Sequence, residues 1–108
     1  MSDESAVDLS VDVTEEGDLT VLTVRGELDA YSAPTLDAAF DEALSGGAQR
    51  LVLDLSDVGF IDSSGLRSMI RARKQVGDAP EGLRIRNPQA ATMRLLDITG
   101  LTDHFPLT

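Results

Sequence analysis

The sequence predicts a single α/β domain in which helices pack against a small mixed β-sheet. Three observations lead to this fold class. The length of 108 residues suits one domain. Segments of alternating apolar and polar residues flank a glycine turn near the N-terminus. Later segments with helical spacing are separated by an apolar run that is typical of a covered strand. The predicted order is β-β-α-β-α-β-α, with room for one more strand in the tail.

The N-terminal part of the chain predicts a β-hairpin. We expect residues 1–6 to be a flexible N-terminus and residues 7–108 to form the domain. Apolar and polar residues alternate over 7–13, which predicts a half-buried strand, and a second strand follows over 19–26. Gly17 lies in the turn between them, where it can supply a positive φ. The two strands therefore pair most simply as an antiparallel hairpin.

A helix and a buried strand follow the hairpin. Pro34 suits the first turn of a helix, and Ser32 just before it is a candidate N-cap. The helical spacing stops at residues 45–47, where the sequence is SGG. The apolar-rich segment Leu51–Leu55 then predicts a short strand. Because it is dense in Leu and Val, it suits a central parallel position covered by helices.

A second helix and a short strand are predicted next. The helix begins near Ser63, and a loop over 77–82 leads to an alternating strand over 83–86. The arginine at position 73 interrupts the apolar face of the helix by one turn. The apolar residues that we expect to face inward are Leu66, Met69, Ile70 and Val76.

The last helix has signals at both ends. Asn87 suits the N-cap, Pro88 suits the first helical position, and Gly100 suits the C-terminal stop. The tail after this helix can add only an edge strand. Pro106 lacks the N–H group that a central strand would have to donate.

Composition and charge limit the classes of function. Nineteen acidic and nine basic residues give a formal net charge of −10, which disfavours nonspecific nucleic-acid binding and docking to anionic lipid. The absence of cysteine removes disulfides and thiolate chemistry. The N-terminus lacks the regions of a signal peptide, and no apolar run is long enough to span a membrane. We therefore expect a cytoplasmic protein that binds neither nucleic acid nor membranes.

The sequence contains no recognisable catalytic set. Ser63 or Ser64 as a nucleophile would need a base, and the one histidine, His104, lies near the C-terminus. The G-x-S-x-G elbow is missing because Asp62 takes the place of its first glycine. There is no phosphate-binding glycine loop, and one histidine without cysteine cannot build a typical transition-metal site. We predict no enzyme activity, no cofactor and no metal.

The segment GFIDSSGLRSMI (59–70) sets two serines at the start of a helix. Asp62 or Ser63 can accept hydrogen bonds from the free N–H groups there, which stabilises a helix by about 1 kcal/mol. Gly65 instead costs the helix up to about 1 kcal/mol relative to alanine. We therefore expect either a close backbone approach at this glycine or a need for little bulk beside the serines.

Charged side chains near this segment leave two interpretations open. Glu27 and Asp29 follow a strand end, where they suit either a solvated loop or a partner surface. Arg67, Arg71 and Lys74 recur at i, i+4 and i+7, and so share one face of the helix. That basic stripe is either a solvated helix face or the counterpart of an acidic patch on a partner.

Three segments together resemble the STAS domain of bacterial anti-sigma factor antagonists: RGELDAYSAPTL, LVLDLSDVGFIDSSGL and NPQAATMRLLDITGL. They occur in the family's order, from about Val7 to Phe105. In the family, the strand before the first helix carries G-x-h-D, the central strand leads into F-h-D-S-S-G-L, and the last helix ends in a G-L turn. The resemblance implies a STAS-like fold and a binding module with a phosphorylation switch.

The resemblance also implies partners and site residues. Family members are similar in docking onto an anti-sigma factor, often a serine kinase with a histidine-kinase-like ATPase fold, which frees the sigma factor. The kinase phosphorylates the first serine of D-S-S-G, which corresponds to Ser63, and a serine phosphatase restores binding. The aspartate of G-x-h-D corresponds to Asp29. The partner-binding residues that we expect are Glu27, Asp29, Asp62, Ser64, Gly65, Arg67 and Arg71.

Two alternative functions remain open from the sequence. A STAS module of this kind could serve another assembly, such as a stress-signalling scaffold or a transport accessory subunit. The second alternative is an aspartyl-phosphate receiver that uses Asp54, which follows apolar residues at the predicted end of a strand. A receiver would also need an acidic pair and a lysine after other strands, and the only lysine, Lys74, lies within a helix.

Overall fold

The computed structural model describes residues 9–77 and 82–108, which form four strands and three α-helices in the predicted order. The predictions for residues 1–6, for the first residues of strand 7–13 and for most of the loop 77–82 lie outside the described residues. A short 3-10 helix, Thr102–His104, follows the last α-helix. The main elements are β1 (Ser10–Glu16), β2 (Leu19–Leu28), α1 (Ala33–Ser45), β3 (Leu51–Ile61), α2 (Ser63–Val76), β4 (Leu83–Arg86) and α3 (Ala90–Thr99).

The four strands form one mixed sheet in the order β1-β2-β3-β4. β1 and β2 make the predicted antiparallel hairpin, with Gly17 at a φ of 64° in the turn. β2 pairs with β3 and β3 with β4 in parallel, so β3 is the predicted central parallel strand. The first strand extends to Glu16 rather than ending at residue 13, because cross-strand pairing with β2 continues to Leu19.

The central strand is longer than predicted. We expected it to end near Leu55, but β3 runs to Ile61. Its pairing with β2 continues through two register shifts, between Thr23 and Arg25 and between Gly26 and Glu27. The extra residues of β3 are left unpaired at these shifts, and pairing resumes at Asp57 and again at Phe60. The extension carries the end of β3 up to the end of β2, which decides where the next helix begins.

The core lies between the sheet and its helices. Leu36 and Phe40 of α1, and Leu66 and Met69 of α2, are at most 5% exposed, and each contributes roughly 1.5–3 kcal/mol by leaving water. The other predicted inward residues of α2 are only partly buried at its edge: Ile70 and Val76. Within the described part of the chain, no helix is long and apolar enough to cross a membrane.

The C-terminal region differs from the prediction in two ways. Asn87 has a φ of 53°, and α3 begins at Ala90 after the N-cap Gln89, so the predicted N-cap Asn87 and first helical residue Pro88 are wrong. The side-chain amide of Gln89 donates to the backbone carbonyl of Ser56 at 2.7 Å. This contact with β3 fixes the extended segment before the helix.

The stop signal and the tail follow the prediction more closely. Gly100 ends α3 with a φ of 72°, as predicted. The expected final edge strand is reduced to a single bridge between Ile85 and Leu107. The backbone N–H of Ile85 donates to the carbonyl of Pro106, and the N–H of Thr108 donates to the carbonyl of Ile85, both at 3.0 Å. The tail therefore satisfies hydrogen-bonding groups at the β4 edge.

Candidate functional site

The candidate site lies where the parallel strands β2 and β3 end side by side. Leu28 and Ile61, the last residues of the two strands, are register partners. The backbone N–H of Asp62 donates to the carbonyl of Leu28 at 3.1 Å. The turn after β2 and the start of α2 after β3 therefore meet at one edge of the sheet. This edge contains Glu27 and Asp29 as well as the two serines.

The helix cap at this edge is Asp62. Its backbone is extended, and its Oδ1 accepts from the N–H of Ser64 at 2.8 Å and of Gly65 at 3.4 Å. Ser63 is the first residue of α2 and is exposed. Of the two capping candidates in the sequence, the structure assigns the role to the aspartate. Ser63 is therefore an exposed residue whose hydroxyl is not needed to cap the helix.

At Gly65, α2 lies in close contact with the ends of β2 and β3. A Cβ atom at this position would lie 2.5 Å from Cγ and 2.9 Å from Cδ2 of Leu28, and 3.0 Å from Cγ1 of Ile61. The expectation of a close approach at this glycine is therefore confirmed. The neighbouring side chains belong to the last residues of β2 and β3. Because the glycine has no side chain, the first turn of α2, which carries Ser63, can pack directly against them.

The turn between β2 and α1 is held by Asp29 and Ser32. Oδ1 of Asp29 accepts from the backbone N–H groups of Tyr31 and Ser32, both at 3.0 Å. The hydroxyl of Ser32 donates to the carbonyl of Glu27 at 2.6 Å and makes no capping hydrogen bond to α1. Ser32 therefore lies at the predicted N-cap position, but its buried hydroxyl closes the turn instead of bonding to the helix.

A groove of about 340 Å³ runs between α1 and α2 beside the serines. Arg71 contacts Asp37 at 3.4 Å and Asp41 at 3.5 Å across this groove. Arg67 is exposed and forms no ion pair with any residue that the structure describes. The basic stripe predicted from the sequence is thus partly neutralised by α1, and Arg67 is its cation nearest to the serines in sequence.

The residues predicted for partner binding fall into two groups. Three are exposed to solvent, where a partner could reach them: Glu27, Arg67 and Arg71. The others are half-buried or buried and shape the backbone of this edge: Asp29, Asp62, Ser64 and Gly65. Sequence reasoning missed Tyr31, which is 89% exposed, and Phe60, which is 47% exposed. The signal available for Tyr31 was an aromatic residue placed inside a turn, between Asp29 and the proline of α1.

The geometry assumed for an aspartyl-phosphate receiver is wrong. Asp54 does not end a strand, since β3 continues for seven residues to Ile61. Its side chain is half-buried and its Oδ1 accepts from the N–H of Ser56 at 3.0 Å. Among residues 9–77 and 82–108, no group of three or more His, Asp or Glu side chains is placed to hold a metal ion.

Fold and site together define a four-stranded α/β domain with an aspartate-capped, serine-bearing helix start at the ends of its parallel strands. The chain belongs to the STAS domain family, whose model matches residues 10–108. It is 34% identical over 97 residues to an anti-sigma-B factor antagonist of Bacillus subtilis, covering 90% of this chain and 88% of the relative.

Solved structures agree with this family. An anti-sigma factor antagonist from Mycobacterium paratuberculosis is similar with a TM-score of 0.84 and 31% identity, over 93% of this chain and 85% of that one. The Bacillus cell fate determinant SpoIIAA in its phosphorylated form is similar with a TM-score of 0.69 and 18% identity, over 92% of this chain and 91% of that one. At this identity the second likeness shows the fold alone.

Proposed function

We propose that this protein is an anti-sigma factor antagonist, a binding protein rather than an enzyme. Its partner is an anti-sigma factor that is also a serine kinase with a histidine-kinase-like ATPase fold. Binding occupies the anti-sigma factor and releases the sigma factor in the cytoplasm. Phosphorylation of Ser63 ends binding, and a serine phosphatase restores it. Membership of the STAS family and the antagonist names of the relatives support this function.

The observation that carries the proposal is that Asp62 caps α2 while the neighbouring Ser63 is exposed and does not cap it. The serine hydroxyl is therefore dispensable for the helix. A kinase can modify such a hydroxyl without unfolding the domain. A phosphate at the N-terminus of a helix is also compatible with the helix dipole. The modified protein should therefore stay folded and change only its surface.

A phosphate on Ser63 would act on the partner through bulk and charge. It adds about −1.5 to −2 charges at neutral pH, beside the carboxylates of Asp62 and Asp29. A partner packed on this edge would have to desolvate that dianion. Like-charge juxtaposition and desolvation at an interface cost several kcal/mol, and every 1.4 kcal/mol or so weakens a complex tenfold. The modification is thus sufficient to weaken the complex by about 100-fold or more.

The remaining site residues have separate roles in this proposal. Glu27, Arg67 and Arg71 contact the partner directly, because their side chains are exposed around Ser63. Ser64 and Gly65 act through the backbone, since the glycine lets α2 sit close to Leu28. These two groups predict different effects of substitution. Changing an exposed residue should alter affinity alone, while changing a buried one should alter stability as well.

Incubation with purified anti-sigma factor kinases of the source organism and ATP, followed by mass-spectrometric mapping, tests the proposal. We expect one phosphate, on Ser63. The matched variants Ser63→Ala and Ser64→Ala should lose and keep phosphorylation, respectively, while both bind the kinase. Phosphate on another residue, or a Ser63→Asp variant that binds as tightly as Ser63→Ala, would contradict the switch. A lack of binding to every such kinase would contradict the antagonist function itself.

A further inference from the structure

The aromatic side chains of this protein divide into a buried and an exposed pair. The chain contains one tyrosine, three phenylalanines and no tryptophan, and all four aromatic residues lie in its described part. Phe40 and Phe105 are each 2% exposed in the core. Tyr31 and Phe60 are 89% and 47% exposed. Both exposed rings lie at the strand ends that carry Ser63, so this edge displays all the large aromatic surface of the protein.

The two exposed aromatic residues lie close to Ser63 along paired backbone. Leu28 and Ile61 are register partners at the ends of β2 and β3. Tyr31 follows Leu28 in the turn before α1, and Phe60 directly precedes Ile61. Ser63 comes two residues after Ile61. Tyr31, in the turn after β2, and Phe60, near the end of β3, thus both lie within three residues of the paired strand ends that precede Ser63.

Hydrogen bonds hold the backbone of Tyr31 within an ordered turn. Its backbone N–H donates to Oδ1 of Asp29 at 3.0 Å, and Ser32 closes the same turn through the carbonyl of Glu27 at 2.6 Å. An aromatic side chain on ordered backbone loses little conformational entropy when it is bound. Exposing such a ring to water has no benefit for folding. Tyr and other aromatic residues also dominate the binding energy of protein interfaces.

We propose that Tyr31 and Phe60 are the aromatic anchors of the interface around Ser63. They insert into apolar pockets on the anti-sigma factor, which places a carboxylate opposite the free guanidinium of Arg67. Arg67 calls for a carboxylate on the partner, because it has no ion-pair partner among the described residues, whereas Arg71 is already paired with α1. The inference rests on the proposed function. A phosphate on Ser63 then meets both the pockets and a partner carboxylate, which repels it.

Affinity measurements with the kinase that phosphorylates Ser63 test the anchors. Titration calorimetry should show binding of Tyr31→Ala weakened by about 30-fold or more, the size typical of an interface hot spot. Phe60→Ala should weaken it by about 10-fold, because the ring is already half-buried before binding. Tyr31→Phe should stay within about 3-fold of the wild type, since it keeps the ring.

A matched control and a footprint complete the experiment. Ile98, which is 75% exposed on α3, is a large apolar residue outside this edge, and Ile98→Ala should bind like the wild type. Because Tyr31 is the only tyrosine, nitration by tetranitromethane, mapped by mass spectrometry, reports on it alone within this chain. We expect strong nitration in the free protein and at least tenfold slower nitration in the complex.

The outcomes separate this inference from the proposed function. If the wild type binds the kinase but Tyr31→Ala and Phe60→Ala bind equally well and Tyr31 stays reactive in the complex, the anchors are overturned and the antagonist function stands. If the wild type binds no anti-sigma factor kinase, the proposed function is overturned, and the anchors with it. Urea midpoints exclude unfolding as the cause of lost binding: we expect Tyr31→Ala to match the wild type, and the half-buried Phe60→Ala to unfold at a slightly lower urea concentration while staying folded in the binding buffer.

Discussion

Replacing Gly65 with alanine tests the packing that positions Ser63. The added methyl group would lie 2.5 Å from Cγ and 2.9 Å from Cδ2 of Leu28, both closer than carbon atoms tolerate, and a tight 3.0 Å from Cγ1 of Ile61. Leu28 has no exposed surface and Ile61 only 7%, so neither can turn away into solvent. The nearest atom is also the branch point of the leucine rather than its flexible end. Either α2 or the end of β2 has to move.

The expected cost follows from two opposing terms. Overpacking a core by one methyl group costs about 1–3 kcal/mol. Alanine favours the helix over glycine by up to about 1 kcal/mol, which offsets part of this cost. We therefore expect Gly65→Ala to lower the free energy of unfolding by about 1–2 kcal/mol. For a domain of this size, that lowers the melting temperature by roughly 5–10 °C.

Urea denaturation followed by circular dichroism measures this change. Gly59→Ala is the matched control, because its new Cβ would meet only Oε1 of Gln89 at 3.7 Å, an ordinary contact. It should change stability by less than about 0.5 kcal/mol. In the double variant Gly65→Ala/Leu28→Ala, the space freed by the leucine should make the combined loss smaller than the sum of the single losses. A Gly65→Ala variant as stable as the wild type would refute the packing argument.

Three further experiments test other parts of the account. Asp62→Ala should lower the free energy of unfolding, measured in urea, by about 1 kcal/mol, because two N–H groups of α2 lose their acceptor. Ser63→Ala, the control, should lower it by less than about 0.5 kcal/mol. A larger loss for Ser63→Ala than for Asp62→Ala would contradict the capping role of the aspartate. The second experiment uses protein that carries phosphoserine at position 63 and follows the phosphate by phosphorus NMR titration. Arg67→Gln should raise the pKa of the phosphate, because the guanidinium four residues along the helix favours the dianion. An unchanged pKa would exclude an ion pair between Arg67 and the phosphate. Thr92→Val should raise the free energy of unfolding, measured in urea, by about 1 kcal/mol. The reason is that the buried threonine hydroxyl has no hydrogen-bond partner among the described residues. A loss of stability would mean that the hydroxyl is bonded.

Local signals in the sequence were sufficient wherever neighbouring residues decide the conformation. Gly17 between two alternating segments predicts the hairpin, and the structure has it there with positive φ. Gly100 stops α3 for the same local reason. The dense apolar segment at Leu51 predicts a central parallel strand, because only a covered strand can bury consecutive apolar residues. All three are short-range or compositional properties.

The errors occur where distant residues decide the conformation. Asn87 and Pro88 look like a helix start, but Asn87 has a positive φ and Gln89, whose side chain bonds to β3, is the N-cap, so α3 begins only at Ala90. Ser32 does lie at the predicted N-cap position, but its hydroxyl bonds to the end of β2 rather than to α1. The polar residues after Leu55 look like a loop, yet pairing with β2 resumes at Asp57 and continues to Ile61. Each of these contacts joins residues that only the folded chain brings together.

The candidate site was predictable in its chemistry but not in its surface. The pairing of an aspartate with serines at a helix start limits the cap to Asp62 or Ser63, and the structure selects the aspartate. The need for a glycine was also visible, although Leu28 as its cause was not. The exposure of Tyr31 and Phe60 could not be read from the sequence. Aromatic residues are usually buried, and only the folded arrangement shows which two are not.

The most direct test of the account is the affinity of the anti-sigma factor kinase for two forms of this protein. One form carries an unmodified Ser63, and the other carries phosphoserine at the same position, with identical circular dichroism spectra as the check on folding. We predict that the unmodified form binds and releases the sigma factor, while the phosphorylated form binds at least about 100-fold more weakly. Equal affinity of the two folded forms would contradict the switch at Ser63.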